Sequence, residues 1–157
     1  MMPTPEFILA LREKIGHDLL WMPGVTAVVL NADRQILLVR RKDNGRWTLV
    51  TGCLDPGEQP AIGALREVWE ETGVTAVAVR LLRVQALPPS TYPNGDRSQF
   101  MDIAFLCHAA SGDAFVNDDE STEVGWFSTD DLPPLTRREM DCIADAYADR
   151  AEAWFAS

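Results

Sequence analysis

Positive charge is scarce in this chain. Its 157 residues include 14 lysines and arginines against 24 aspartates and glutamates, which gives a formal net charge of −10 at pH 7. A surface of that sign repels the phosphate backbone of a nucleic acid, so we expect no nucleic acid as partner. A small phosphorylated molecule is compatible with this charge only if metal cations mediate the contact.

Long apolar runs and paired cysteines are also missing. No apolar stretch approaches the ~18 residues of a membrane-spanning helix, which predicts that no segment crosses or binds a membrane. The N-terminus mixes charged and apolar residues, as amphipathic helices do and secretory signals do not. Cys53, Cys107 and Cys142 are odd in number and far apart, which favours a reducing cytoplasm and argues against a zinc site. We therefore expect a soluble, cytoplasmic protein.

The two ends of the chain are predicted to be helical. An amphipathic pattern predicts an N-terminal helix over residues 1–20, with Thr4 as its N-cap. A second helix is predicted over residues 136–155, where Thr136 and Glu139 have the spacing of a capping box. With 46% hydrophobic and 24% charged residues, a chain of this length is large enough to bury a core. We predict one domain spanning the whole chain.

Strands and one further helix fill the middle of the sequence. The runs GVTAVVL and QILLVRRK are rich in β-branched residues and predict two strands, followed by a short extended piece, GRWTLVTG. Residues 59–72 have a helical pattern, and two long strands and one short strand are predicted after them. Asn94 and Gly95 mark a reverse turn between the long strands. Helices at the start, middle and end of mixed strands indicate a layered α+β domain.

Three glutamates fall on one side of the middle helix. At about 100° per residue, Glu67, Glu70 and Glu71 form a compact carboxylate face. Like charges at this spacing repel by a few tenths of a kcal/mol per pair. Either this face is solvated, or a bound cation offsets the repulsion. The apolar residues take the other side of the helix, and we expect them in the core: Ile62, Leu65, Val68 and Trp69.

The residues around these glutamates follow a longer pattern. Gly52 is followed after five residues by Glu58, and after seven more by the run REVWEETGV, residues 66–74. Over all 23 positions this segment, residues 52–74, resembles the Nudix box, with every fixed residue present. The resemblance implies the Nudix fold, in which a mixed β-sheet is sandwiched between helices in an α/β/α arrangement.

In the Nudix family the glutamates of the box bind divalent metal. By that resemblance Glu67, Glu70 and Glu71 are metal-binding and catalytic residues here, and one of them is a candidate base toward water. A backbone oxygen of Gly52 or Thr51 is expected to complete the ligand set. The expected ion is Mg²⁺, with Mn²⁺ as a substitute, because hard cations prefer oxygen ligands.

Four box residues have expected structural roles. Glu58 and Arg66 are placed to form an ion pair that ties the loop to the helix, with a weak surface salt bridge as the alternative. Gly73 stands where the helix ends, a position that favours positive φ. Gly52, together with Gly57 in the loop, is expected to let the chain turn toward the helix.

A further acidic ligand often comes from a loop outside the box in this family. The segment NDDESTEVGWF, residues 117–127, supplies Glu120, which we expect to be catalytic. Glu123 is the second choice for this role. The alternative is an ordinary solvated acidic loop.

Residues outside the box are expected to contact the substrate. Arg41 is suited to a phosphate, and Trp47 to stacking on a base. Tyr92 is a candidate contact to base or ribose, or else part of a hairpin turn. Pro89 lies 16 residues after Gly73, about the distance associated with ADP-ribose pyrophosphatases in this family.

Three functions are compatible with these residues. The first expectation is Mg²⁺-dependent hydrolysis of a small nucleoside diphosphate derivative, ADP-ribose or a nucleotide sugar, by water attack on the diphosphate. The second is a (d)NTP pyrophosphohydrolase of the house-cleaning type. The third is a non-catalytic nucleotide sensor, which would have no need for all three glutamates. A homodimer is left open beside the monomer.

Overall fold

The structure is a computed structural model that describes residues 4–157. Eight strands of the described residues form one sheet: β1 (Leu20–Leu30), β2 (Ile36–Arg41), β3 (Trp47–Thr48), β4 (Val50–Cys53), β5 (Ala76–Ala86), β6 (Ser90–Thr91), β7 (Arg97–Ala109) and β8 (Ser121–Phe127). The helices are α1 (Glu6–Ile15), α2 (Pro60–Thr72) and α3 (Arg137–Tyr147), with a 3-10 turn at Thr129–Asp131. None of these helices has the length and apolar character needed to span a membrane.

Strand β1 is the centre of the sheet. It pairs in parallel with β7 along its whole length, and β5 lies antiparallel on the other side of β7. On its second edge β1 pairs antiparallel with β4, which sets Thr51 opposite Thr26, and then with β2 at Leu30. Strands β3 and β8 pair with β2, and β6 pairs with β7. The predicted mixed sheet is confirmed.

Each face of the sheet packs against one helix. Strand side chains alternate between the two faces, so Val25 and Val29 of β1 pack with Val68 of α2, whereas Val28 packs with Ile143 of α3. Both layers are fully buried at these positions, which explains why β1 is apolar on both sides. The α/β/α sandwich is therefore confirmed.

The N-terminal helix is shorter than predicted. It begins at Glu6 and ends at Ile15, and Leu20 already belongs to β1. Gly16 follows the helix with a φ of 59°. Glycine adopts this positive φ at little cost, so the helix can end there. Pro5 stands at the N-cap without a side-chain cap bond, so the prediction of Thr4 was wrong. The predicted residues 1–3 lie outside the described part of the chain.

The C-terminal helix starts as predicted and ends early. The capping box is confirmed, because Thr136 accepts from the backbone of Glu139 and the Glu139 carboxylate accepts from the backbone of Thr136. The helix ends at Tyr147 rather than residue 155. The chain then returns to the sheet, where Trp154 pairs with β5 and its ring lies 4.1 Å from the guanidinium of Arg83. The residues after Tyr147 therefore contact the sheet and do not continue the helix.

Candidate active site

The carboxylate face of α2 is turned toward the sheet, not toward solvent. Glu67 and Glu71 keep only 5% and 4% of their surface exposed, and Glu70 is half-buried. On the opposite side Ile62 and Trp69 are 62% and 56% exposed, so the prediction that they lie in the core was wrong. Helical periodicity separates two faces, but it does not say which of them packs against the sheet.

Gly52 makes room for Glu67. A Cβ at position 52 would lie 2.1 Å from Cδ of Glu67, far inside van der Waals contact. Gly52 lies within β4, paired with Val25, so it does not form the turn that the sequence predicts. That turn uses Gly57, whose φ is 81°. Glycine at position 52 therefore permits the close approach of a strand backbone and a buried carboxylate.

Arg66 binds three carboxylates of the box at once. Its Nε and one Nη donate to the two oxygens of Glu58 at 2.7 and 2.8 Å. Its other Nη donates to Glu67 and to Glu70, both at 3.0 Å. The hydrogen bonds from Arg66 hold the pKa of Glu58 below its ordinary value. The pair with Glu58 is two-pronged and partly buried, so the structure has more than an exposed surface salt bridge here.

Two buried carboxyl groups, those of Glu67 and Glu71, have raised pKa values because burial disfavours their charged form. Desolvation raises the pKa of Glu67 to about 7, despite the opposing effect of Arg66. Desolvation likewise raises the pKa of Glu71 to about 8, with Glu67 and Asp118 adding to the shift. Buried carboxylates of this kind are stabilised in their charged form by a nearby cation. The site therefore favours a positive ligand.

A cleft of about 360 Å³ opens beside Glu71. Strands β2, β3 and β4, the last turn of α2 and the loop that leads into β8 form its walls, so residues distant in sequence meet there. Its lining comprises Val39, Arg41, Lys42, Asp43, Thr48, Thr51, Glu71, Asp119, Glu120 and Ser121. The structure thus brings together four of the predicted site residues, Glu71, Glu120, Arg41 and Thr51, whereas the cleft lining does not include Gly52, Glu67 or Glu70. Glu123 lies outside the cleft, where its carboxylate binds Arg40 at 2.7 Å.

Two predicted substrate contacts lie elsewhere. Trp47 packs edge-on against Phe127 at 4.8 Å between ring centroids, beside the α3 core. Tyr92 and Pro89 flank β6, which pairs with β7 next to the start of β1. Six residues of β1 separate that end from Thr51, about 20 Å at the usual rise per residue. Neither Tyr92 nor Pro89 lines the cleft.

Asp43 is a cleft residue that the sequence analysis missed. Its two carboxylate oxygens accept from Nε and Nη2 of Arg41, at 2.9 and 2.5 Å. The pair holds the guanidinium at the rim of the cleft, where Glu120 and Glu71 also act on it electrostatically. No motif marks Asp43, although its position two residues after Arg41 in a hairpin was a usable signal.

The acidic residues offer oxygen donors of the type that hard divalent cations prefer. Glu67 and Glu71 are buried carboxylates that a cation would stabilise, and Thr51 lines the cleft beside Glu71. Within residues 4–157, no three acidic, cysteine or histidine side chains are arranged as a ready-made metal site. A cation must therefore compete with Arg66 for Glu67 and Glu70. The donor set fits such an ion once that exchange occurs.

Comparison with known proteins assigns the chain to a family. The profile of the NUDIX domain matches residues 20–147, most of the chain. The chain belongs to the Nudix family. A MutT-like protein of Streptomyces ambofaciens is 37% identical over 127 residues, which cover 81% of this chain and 72% of that protein. A putative 8-oxo-dGTP diphosphatase of Bacillus subtilis is 33% identical over 126 residues, covering 78% and 79%.

Solved Nudix structures have the same fold. A MutT Nudix hydrolase from Burkholderia pseudomallei superposes with a TM-score of 0.66 at 31% identity, over 80% of this chain and 98% of that one. An ADP-ribose pyrophosphatase from Streptococcus suis gives 0.64 at 26% identity, over 84% and 96%. The protein is a Nudix hydrolase of the pyrophosphatase type, a class that generally requires a divalent metal ion.

Proposed function

We propose that the cleft beside Glu71 hydrolyses the diphosphate linkage of a small nucleotide by water attack. The observation that carries this proposal is the meeting of Glu71 from α2 and Glu120 from the loop before β8, with Arg41 at the rim. Carboxylates and an arginine around one small cleft are the groups that position a metal-bound phosphate and its attacking water.

Each group has a distinct task in this proposal. Glu67, Glu70 and Glu71 hold the ion, and a backbone oxygen of the Thr51–Gly52 segment adds to the set. When bound, a divalent cation supplies charge neutralisation on the diphosphate and a lower pKa for the attacking water. Glu120 accepts a proton from that water, and Arg41 donates hydrogen bonds to a phosphate.

Nucleoside triphosphates are our first choice of substrate. Of the two curated relatives described above, one is named a MutT-like protein and the other a putative 8-oxo-dGTP diphosphatase. The expectation of ADP-ribose rests on Pro89, which lies about 20 Å along the sheet from the cleft. ADP-ribose is the second choice, because the similar Streptococcus suis structure is an ADP-ribose pyrophosphatase.

A substrate panel with Mg²⁺ tests the proposal. The eight common (d)NTPs, 8-oxo-dGTP, ADP-ribose and nucleotide sugars are compared by kcat/KM, with products separated by chromatography. A triphosphate substrate gives a nucleoside monophosphate and pyrophosphate, whereas ADP-ribose gives AMP and a sugar phosphate. We expect the best triphosphate to exceed ADP-ribose by at least tenfold, about 1.4 kcal/mol of transition-state preference.

Two controls make the result decisive. EDTA should abolish turnover, and Mg²⁺ or Mn²⁺ should restore it. Glu71→Gln should lower kcat by about two orders of magnitude, because a neutral amide cannot replace a carboxylate in metal or charge stabilisation. If the wild-type protein binds nucleotides but hydrolyses none of the panel, a non-catalytic nucleotide sensor replaces the proposed hydrolase.

A further inference from the structure

The acidic loop between β7 and β8, residues 110–120, is fastened to the end of α2. The backbone N–H of Phe115 donates to the carbonyl of Thr72 at 2.9 Å, and that of Asn117 donates to the carbonyl of Glu71 at 3.2 Å. The last carbonyls of a helix have no partners within the helix, so donors from elsewhere are favourable there. This loop supplies them to the same turn that carries Glu71.

Asn117 adds a second bond to that turn. Its side-chain Nδ2 donates to the carbonyl of Trp69 at 2.9 Å, two residues before the carbonyl of Glu71 that its backbone binds. One residue therefore clasps two carbonyls in the last turn of α2. The contact requires a donor, which an aspartate of the same shape does not provide.

The loop enters the cleft two residues after Asn117, at Asp119. The Asp118 carboxylate accepts from the backbone N–H groups of Glu120 and Ser121 at 3.2 and 2.9 Å, which tightens the turn. The backbone N–H of Lys42, just after β2, donates to the carbonyl of Glu120 at 2.8 Å. The segment 118–120 is thus tied to α2 at one end, through Asn117, and to β2 at the other.

We propose that Asn117 is a positioning residue that places Glu120 opposite Glu71 across the cleft. Asn117 is exposed and does not line the cleft, so it acts through the loop and not by touching substrate. Without its side-chain bond, the α2 end of the segment loses one of its anchors while the β2 end remains. The inference rests on the proposed role of Glu120 in hydrolysis.

The first experiment measures loop attachment and metal binding without substrate. Asn117→Ala and the isosteric Asn117→Asp are compared with Asn94→Ala, which removes a similar amide contact to Asp96 in the distant hairpin. Hydrogen exchange at the amides of Phe115 and Asn117 should accelerate in both Asn117 variants and remain unchanged in the control. Affinity for Mn²⁺ alone, by calorimetry, should fall by roughly three- to tenfold, the order expected for one lost hydrogen bond, because Asn117 binds the turn of α2 that carries Glu71, one of the residues assigned to the ion.

The second experiment is a double-mutant cycle on turnover. Asn117→Ala should lower kcat by about three- to tenfold with little change in KM, and should have no further effect in a Glu120→Gln background. An equal loss in both backgrounds overturns the inference, because Asn117 would then act independently of Glu120. Unchanged exchange and unchanged Mn²⁺ affinity in both Asn117 variants also overturn it.

The two experiments separate this inference from the proposed function. A wild-type protein that hydrolyses none of the panel ends the hydrolase proposal, whereas exchange and Mn²⁺ binding still decide whether Asn117 anchors the loop. Conversely, an active enzyme whose rate is insensitive to Asn117→Asp retains its function and refutes the positioning role. The melting temperature of each variant confirms that the comparison is made between folded proteins.

Discussion

Gly52 and Glu67 share a space that holds only one side chain. A methyl group at position 52 would lie 2.1 Å from Cδ and 2.3 Å from Oε1 of Glu67, so the buried carboxylate is possible only because residue 52 is glycine. The glycine that opens the box thus serves the glutamate fifteen positions later, through packing between β4 and α2.

The first prediction follows from this contact. Gly52→Ala should displace the Glu67 carboxylate and lower kcat by at least tenfold, with a loss of stability of about 1–3 kcal/mol from overpacking. Gly112→Ala is the matched control, because a Cβ there meets no atom within 4 Å. Turnover and urea unfolding of both variants check the prediction. A wild-type kcat in Gly52→Ala would show that turnover does not depend on the position of the Glu67 carboxylate.

The choice between Glu120 and Glu123 gives the second prediction. Glu120 lines the cleft with Glu71, whereas Glu123 is bound to Arg40 on the neighbouring strand outside it. Glu120→Gln should therefore lower kcat by about two orders of magnitude or more, the contribution typical of a general base. Glu123→Gln should retain kcat within about twofold, since exposed ion pairs contribute little. Equal losses in both variants would contradict the assignment.

Much of this fold could be predicted from the sequence because its signals are local. The capping box of Thr136 and Glu139 depends on residues three apart, and alternation in apolar runs predicts strands wherever they pair. The predicted bounds of the elements were wrong where contacts with distant residues accompany the end of an element. Helix α3 stops at Tyr147, and the tail after it returns to β5 and packs Trp154 on Arg83, a contact that no local pattern predicts.

The sequence predicts which residues form the candidate site, but it does not predict which of them are buried and which are exposed. The spacing of the box indicates which glutamates share a face, but the burial of Glu67 and Glu71 depends on β4 passing across that face. The same limit explains the exposed Trp69, since a large aromatic residue usually suggests core. Asn117 acts through a tertiary contact with α2, and Asp43 acts through a local contact with Arg41 that belongs to no motif.

The third prediction concerns acid stability and the pair of Glu58 with Arg66. Hydrogen bonds from Arg66 lower the pKa of Glu58 in the folded protein below 4.5, its ordinary value. A carboxyl group with a lowered folded pKa stabilises the protein above its unfolded pKa, and this stability is lost as the pH falls through the folded value. Glu58→Gln should therefore lower the melting temperature at pH 7, and the difference should shrink below about pH 4.5.

Melting curves in EDTA between pH 7 and pH 3 measure this effect without metal. Asp141→Asn is the matched control, because its partner Arg137 is almost fully exposed on α3 and the pair contributes little. A destabilisation by Glu58→Gln that is constant across this pH range would mean that the charge of Glu58 is not what stabilises the loop.

The last prediction concerns the orientation of Arg41 by Asp43. Arg41 donates through both Nε and Nη2 to Asp43, a fork that fixes the plane of its guanidinium at the rim of the cleft. Asp43→Asn removes one acceptor oxygen and the charge, so Arg41 should lose its fixed orientation, and KM should rise by about three- to tenfold while kcat changes little. Arg41→Lys should act in the same direction, because lysine cannot form the fork.

Glu123→Gln, which breaks the pair of the neighbouring Arg40, should leave KM unchanged. Steady-state kinetics on the best substrate decides the matter: a raised KM in Arg41→Lys with a normal KM in Asp43→Asn would mean that Arg41 binds phosphate without needing Asp43.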